Sequence, residues 1–234
     1  MPIDYPNETL LHRDDFTDFS RWHHEGIGRL EPVPGANGMR LHCDGSAQGK
    51  EACMAFFRPD LPDPVVIEYD LMVHSQGGLI INYFALRGLN GEDVIADRDK
   101  LPPRTGIMAN YFSTRWKLQS YHVSFSRFDD RGVHTGTSNW RRNPGGLLVG
   151  HGNDPVMEIG RRYHLRFTKD RGHLQSYVDG IYAHGVMDRD TSQYPIPDTG
   201  KFGFRLIGSN VKADISAFRV FQTTPQDALW KPWP

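Results

Sequence analysis

Several features that define other protein classes are missing from this 234-residue sequence. No apolar run approaches the roughly 20 residues that cross a membrane, so we expect no membrane partner. Two cysteines, Cys43 and Cys53, are too few for a disulfide framework. Lys and Arg number 27 against 28 Asp and Glu, and this balance argues against a nucleic acid partner. The first residues show no basic segment followed by an apolar core, so we expect a cytoplasmic protein.

The composition favours strands and turns. The chain has 24 Gly and 16 Pro, together with 13 Phe, 9 Tyr and 5 Trp. Many turn formers combined with many aromatic residues favour short strands and disfavour long helices. The length corresponds to a single domain over residues 1–234.

Apolar and polar residues alternate with a period of two in many short segments, as expected for half-buried strands. The segments are residues 65–73, 79–86, 116–128, 163–168, 173–178, 181–186, 201–207 and 213–221. Their close spacing, with turns between them, predicts an all-β fold built as a two-sheet antiparallel β-sandwich. Residues 88–104 and 132–154 are predicted to be long irregular loops, and the second is interpreted as a binding loop.

The final third of the chain resembles the concanavalin A-like lectin/glucanase superfamily. The resemblance lies in the order of residues 163–167, a glycine turn, residues 177–180, residues 200–205 and residues 218–221. It implies a concanavalin A-like jelly roll.

A narrower resemblance lies in residues 136–145, which read Gly-Thr-Ser-Asn-Trp-Arg-Arg-Asn-Pro-Gly, together with Tyr121 and His122. These residues resemble the YesU-like family, bacterial domains of unknown function found in rhamnogalacturonan utilisation clusters. The resemblance implies a carbohydrate ligand and an intracellular setting. It brings no settled reaction and no catalytic residues.

The segment of residues 136–145 supplies most of the predicted binding residues. Arg141 and Arg142 carry planar guanidinium groups that can bind a carboxylate bidentately. Ser138, Asn139 and Asn143 add donors and acceptors suited to sugar hydroxyls. The alternative is a rigid surface loop whose polar side chains satisfy their own backbone.

His122 and Arg205 lie on strand faces that oppose the core. His122 shares its face with serines, while Tyr121 should point into the core. A histidine with an ordinary pKa can accept a proton at neutral pH. Arg205 lies opposite the apolar face of residues 202–206, so it should face a groove or solvent. A hydrogen-bonded His122 without a catalytic role is the alternative.

Four further residues are candidates for lining the same groove: His134, Tyr111, Asn82 and Tyr83. Each is also compatible with a structural role.

The first functional hypothesis is a lyase that acts by β-elimination on uronate-containing, rhamnogalacturonan-type oligosaccharides. Arg141, Arg142 or Asn143 would neutralise the uronate carboxylate. His122 or His134 would be the base, and Tyr111 would protonate the leaving oxygen.

Two alternatives stay open. One is a non-catalytic, lectin-like sugar-binding module. The other is a glycoside hydrolase that uses Glu68 and Asp70, which have the right spacing but lack a third acid or a flanking Trp.

No cofactor is expected. A structural calcium at Asp14 and Asp15, or at Asp214, is considered, although calcium needs six or more oxygen ligands. The predicted partner is an acidic oligosaccharide, and a homodimer is left open.

Overall fold

The computed structural model describes residues 2–44 and 52–230 and contains two antiparallel sheets. The strands of this part of the chain are β1 (Thr9–Asp14), β2 (Trp22–Gly26), β3 (Arg29–Pro32), β4 (Met39–Cys43), β5 (Ala52–Phe57), β6 (Val65–Val73), β7 (Gly78–Gly88), β8 (Leu118–Phe128), β9 (Thr137–Asn143), β10 (Leu147–Asn153), β11 (Arg162–Asp170), β12 (His173–Val178), β13 (Ile181–Met187), β14 (Lys201–Ile207) and β15 (Val211–Gln222). The predicted all-β, two-sheet fold is confirmed.

Helical structure is short. The α-helix α1 spans Ala109–Phe112, and single 3₁₀ turns span Arg98–Lys100, Thr114–Trp116 and Asp227–Trp230. Within the described residues, none of these helices has the length and apolar character that a membrane span requires.

The front sheet has the strand order β10-β9-β8-β7-β14-β5-β2. The back sheet has the order β13-β12-β11-β6-β15-β4-β3, and β1 also pairs with β15. Neighbouring strands in both sheets run antiparallel. Because side chains alternate along each strand, every strand contributes one face to the interior and one to the outside of the sandwich.

The main core fills the space between the two sheets. Tyr69 and Phe167 of the back sheet pack against Phe204, Phe84 and Trp140 of the front sheet. All five side chains are fully or almost fully buried. Burying a side chain of this size stabilises the fold by roughly 1.5–3 kcal/mol.

A second apolar cluster lies on the outer face of the front sheet. Residues 89–117, here called the cover segment, fold over β5 and part of β7. Tyr111 of the cover segment packs against Phe56 and Tyr83, at ring distances of 6.0 and 5.9 Å. The cover segment therefore hides one half of this face and leaves the other half open.

The structure corrects the predicted loop at residues 132–154. Most of it forms the hairpin of β9 and β10, which extends the front sheet beyond β8. Its Ser, Asn, Arg and Gly residues have little strand propensity, so pairing with β8 rather than local preference makes them extended. Residues 88–104 are largely irregular, as predicted.

Candidate functional site

The open half of the front sheet forms a groove across β14, β7, β8 and β9. Arg205, Ile81 and Ser124 are cross-strand neighbours and form one row of outward side chains. The next row contains His122 and its cross-strand partner Arg141. Side chains from four strands therefore converge on one surface.

The groove has a volume of about 230 Å³. It is lined by Leu79, Ile81, Met108, His122, Ser124, Arg127, Asn139, Arg141, Arg205 and Ile207. Among the described residues, three arginines thus line it, and no Asp or Glu does.

The arginines of the groove contact neutral groups. Arg141 donates from Nη1 to the carbonyl of Gly146 at 2.6 Å, and Arg205 donates from Nη2 to the carbonyl of Gly106 at 3.3 Å. Arg127 donates to the hydroxyl of Thr137 at 3.1 Å. Because a guanidinium group keeps its charge in proteins, the groove carries a concentrated positive charge.

Arg205 is the most constrained of the three. It is 1% exposed, and its Nε has no hydrogen-bond partner in the described part of the chain. Burial lowers its pKa. A buried guanidinium group with unused donors is poorly satisfied without an external acceptor.

His122 is uncharged at neutral pH. Burial, together with the charges of Arg141 and Arg205, lowers its pKa from 6.5 to about 3. The amide nitrogen of Asn143 lies 2.9 Å from His122 Nδ1 and 2.8 Å from the hydroxyl of Ser120. In this arrangement Nδ1 accepts a hydrogen bond, so the ring proton is on Nε2 and His122 offers the groove a donor.

The inner end of the groove is closed by the cover segment. Met108 lines the groove and lies 3.7 Å from the hydroxyl of Tyr83. The backbone nitrogen of Gly145, in the turn between β9 and β10, donates to the carbonyl of Phe112.

On β14, Gly203 lies beside Phe56, and a Cβ added there would be 2.3 Å from the Phe56 ring.

Three predicted binding residues point away from the groove, and the structure corrects them. Asn82 accepts a hydrogen bond from Tyr69 at 2.6 Å, inside the main core. Ser138 lies 2.7 Å from His184 Nε2, and Arg142 forms an ion pair with Asp188 at 3.0 Å. The reason is strand alternation: the sequence neighbours of these residues occupy the outer face.

The predicted roles of Tyr83 and Tyr111 in the groove are also wrong. Tyr83 is fully buried under the cover segment, and Tyr111, which belongs to that segment, is fully buried against the sheet. Tyr111 donates to the Glu25 carboxylate at 2.7 Å, and burial with that negative charge raises its pKa well above 10. Burial raises the pKa of Tyr83 to about 12. Tyr111 therefore has no access to a ligand and cannot protonate a leaving group.

His134 lies outside the groove lining, so the structure does not bring it together with His122. Its Nε2 is 3.1 Å from the Asp154 carboxylate, and its Nδ1 accepts from the backbone of Gly136. It stabilises the connection that leads into β9.

Asn139 and Asn143 of β9, both predicted to bind substrate, occupy different positions relative to the groove. The Asn139 amide lines the groove and lies 2.8 Å from His151 Nδ1. Asn143 is buried behind the groove, where it contacts His122 rather than a ligand.

The carboxylates considered for hydrolysis lie on the opposite sheet. Glu68 is ion-paired with Arg166 and Arg219, and Asp70 lies 2.9 Å from His164 Nδ1. Both are on β6 of the back sheet, so they are separated from the groove by the whole core.

Sequence reasoning missed Arg127. It follows Ser124 by three positions, so regular alternation would place it on the opposite face. Ser126 has a φ of 51°, and the pairing of β7 with β8 shifts register between Gly78 and Ile80. This irregularity lets Arg127 reach the groove, and the amino-acid sequence carries no visible signal for it.

Two of the residues considered for calcium have partners within the protein. The Asp14 carboxylate accepts from the backbone of Phe16 and from the Trp22 indole, and Asp214 is engaged by Arg40 and His74. No group of three potential metal ligands occurs in residues 2–44 and 52–230.

Solved structures resemble this fold. A Bacillus subtilis protein of unknown function with a galectin-like fold matches with a TM-score of 0.83 and 24% identity, covering 95% of this chain and all of its own. A κ-carrageenase from Pseudoalteromonas carrageenovora, in complex with an oligotetrasaccharide, matches with a TM-score of 0.60 and 10% identity, covering 95% and 98%.

Sequence comparison gives the family. The chain is 28% identical over 228 residues to YesU of Bacillus subtilis (strain 168), an uncharacterized protein, covering 93% of this chain and 98% of YesU. The predicted YesU-like resemblance is thereby confirmed. The model of a domain of unknown function, DUF1961, matches residues 8–220, and the chain belongs to this family.

Proposed function

We propose that this protein binds acidic oligosaccharides in the groove of the front sheet. The observation that carries the proposal is the charge of the lining, which contains three arginines and no carboxylate among the described residues. The guanidinium groups of Arg141 and Arg205 would bind the carboxylate of a uronate residue, for which their planar donor geometry is suited.

The remaining lining suits a sugar. Ser124 and Asn139 offer both donors and acceptors for hydroxyl groups, and His122 offers its Nε2 proton. Leu79, Ile81 and Ile207 provide an apolar surface for the C–H face of a sugar ring. The carbohydrate complex of the carrageenase with the same fold supports this class of ligand. The YesU-like resemblance favours uronates of the rhamnogalacturonan type.

Hydrolysis has little support. A glycoside hydrolase of the usual kind needs two carboxyl groups flanking the scissile bond. Glu68 and Asp70 belong to the back sheet, and the groove lining supplies no replacement for them.

Lyase activity by β-elimination is the second candidate, and one observation favours it: the imidazole of His122 lines the same groove as the guanidinium groups of Arg141 and Arg205. Arg141 or Arg205 would neutralise the carboxylate and so acidify the proton on C5. If the Asn143 side chain turned so that its amide oxygen accepted a hydrogen bond from Nδ1–H of His122, Nε2 would be unprotonated. Nε2 could then take the proton from C5. The C5–H electron pair would then form the C4–C5 double bond as the C4–O4 bond breaks, and the imidazolium would return its proton to O4.

Calorimetric titration tests the binding proposal. Uronate oligosaccharides should bind, and their carboxyl-reduced neutral counterparts should bind at least tenfold more weakly. Arg141→Gln should lower the affinity for the acidic sugars about tenfold, which corresponds to about 1.4 kcal/mol. Arg131→Gln is the matched control, because Arg131 is exposed and paired with Asp129. Equal affinity for acidic and neutral sugars would refute the proposal.

The ultraviolet absorbance of the same mixtures separates the two candidates. An absorbance that grows with time, from an unsaturated uronate, would establish elimination, and His122→Phe should then abolish it. A constant absorbance in samples that show binding would establish recognition without cleavage.

A further inference from the structure

We infer that the groove accepts the terminal acidic residue of an oligosaccharide and excludes the interior of a long chain. This inference rests on the proposed function, because it concerns which part of an acidic sugar enters the same groove.

The groove is small. The groove volume of about 230 Å³ is below the roughly 300–1,000 Å³ of typical small-molecule sites. A space of this size suits about one sugar ring. An interior segment would require a cleft that continues on both sides of the bound residue.

The groove has one closed end. Met108 lines the groove on the side of the cover segment. Two hydrogen bonds attach the cover segment to the front sheet: Arg205 of β14 donates to the carbonyl of Gly106, and Gly145, in the turn between β9 and β10, donates to the carbonyl of Phe112. A chain entering from the open side therefore meets protein where it would have to continue.

The cover segment at this closed end is firmly held. Arg104 of the cover segment donates to both oxygens of Glu25 on β2, at 2.6 and 3.1 Å, and Tyr111 adds a third hydrogen bond. Burial alone would raise the pKa of Glu25, but hydrogen bonds from His23 and Arg104 lower it to about 2. Breaking a buried, hydrogen-bonded ion pair of this kind is costly, so the cover segment is a wall rather than a lid.

Charge is distributed unevenly along the groove. His122 and Arg141 occupy one cross-strand row, and Arg205, which donates to the carbonyl of Gly106 in the cover segment, lies in the next row. Beyond them lie Leu79 and Ile207, which are neighbours on β7 and β14. The carboxylate-bearing residue therefore goes in first, and the rest of the oligosaccharide leaves over an apolar rim.

Titration with galacturonate and its α-1,4-linked oligomers of increasing length tests this inference. We expect one protein molecule bound per oligomer at every length, because each chain has one end of the correct chemistry. The affinity should change less than about threefold once the chain exceeds two residues. A bulky substituent on the correct chain end should weaken binding at least tenfold, and the same substituent on the other end should have no effect.

The outcomes separate this inference from the proposed function. A number of bound protein molecules that rises with oligomer length would overturn the chain-end inference and leave the binding function intact. Undiminished binding when both ends are blocked would do the same. Failure of every acidic sugar to bind, including the monosaccharide, would overturn the proposed function and the inference together.

Discussion

The outer faces of the two sheets both present arginines, but these arginines have different partners on the two faces. On the back sheet Arg166 and Arg219 both contact Glu68, and Arg40 lies 2.6 Å from Asp214. On the front sheet Arg141 and Arg205 contact only carbonyl groups among the described residues. A chain with a net charge of −1 therefore contains one face with balanced charge and one with unpaired positive charge.

Strand register explains the difference. Glu68 is the cross-strand neighbour of both Arg166 and Arg219 on the back sheet. The cross-strand neighbours of Arg141 are His122 and Leu148, and those of Arg205 are Ile81 and Met54. Charge is thus neutralised or retained according to which residue lies directly opposite, and only the retained charge is available to a ligand.

The largest expected effect comes from removing the buried charge of the groove. Arg205→Met should weaken the binding of acidic oligosaccharides a hundredfold or more, about 3 kcal/mol, because Arg205 is buried and offers a desolvated charge. Arg219→Met, on the back sheet, should leave binding unchanged. Calorimetry measures both variants, and equal losses would show that the two faces are equivalent.

A second effect concerns the pH dependence of stability. Between pH 6.5 and 5, a histidine in the unfolded chain takes up a proton, whereas folded His122 stays neutral until about pH 3. The unfolded state is therefore favoured as the pH falls. Over this interval the wild-type protein should lose roughly 2 kcal/mol more unfolding free energy than His122→Gln. Denaturant titrations at both pH values measure the difference, and parallel losses would contradict it.

A third experiment makes the front sheet resemble the back sheet. Ser124→Asp places a carboxylate in the row of Arg205 and should weaken the binding of acidic sugars about tenfold, or about 1.4 kcal/mol. Ser124→Asn has nearly the same shape and no charge, so it should bind as the wild type does within about threefold. If both variants lose the same affinity, size rather than charge is responsible.

The smallest effect is expected from the converse change. Glu68→Gln removes the carboxylate shared by Arg166 and Arg219 and should lower the unfolding free energy by about 1 kcal/mol or less, because these partners are partly exposed. It leaves Arg219 without its carboxylate partner, whereas Arg166 keeps its ion pair with Glu8. Binding of acidic sugars to this face, detected as a second site in calorimetry, would show that charge alone suffices.

Strand alternation correctly predicted which sheet face two of the candidate residues occupy. Arg205 is predicted to face away from the core that contains Phe202 and Phe204, and this is confirmed. His122 is predicted to lie on the strand face opposite Tyr121, which points into the core, and this is also confirmed. In both strands, the apolar residues clearly mark the face toward the core, so the polar residues between them mark the outer face. Their roles toward a ligand stay predictions.

Strand alternation also explains which predicted groove residues were wrong. Asn82 and Tyr83 are adjacent in the chain, as are Ser138 and Asn139, so at most one of each pair can face the groove. Arg142 follows Arg141 and fails for the same reason. Residues 132–154 gave no alternation to apply, because β9 owes its extended form to pairing with β8.

The cover segment could not be predicted. It buries Tyr83 and Tyr111 by long-range packing and by the ion pair of Glu25 with Arg104, which joins residues 79 positions apart. Residue types and local periodicity do not contain that information. The closed end of the groove therefore emerges only from the three-dimensional structure.

Gly203 limits which positions near the groove can be substituted. Any side chain at this position would collide with the Phe56 ring, so the site is intolerant of substitution although it neighbours the groove. A mutational library aimed at new sugar preferences should leave Gly203 and Phe56 invariant and vary Ser124, Asn139 and Ile207 instead. Selected variants should then differ in these three positions on an unchanged scaffold, whether the selection is natural or made in the laboratory.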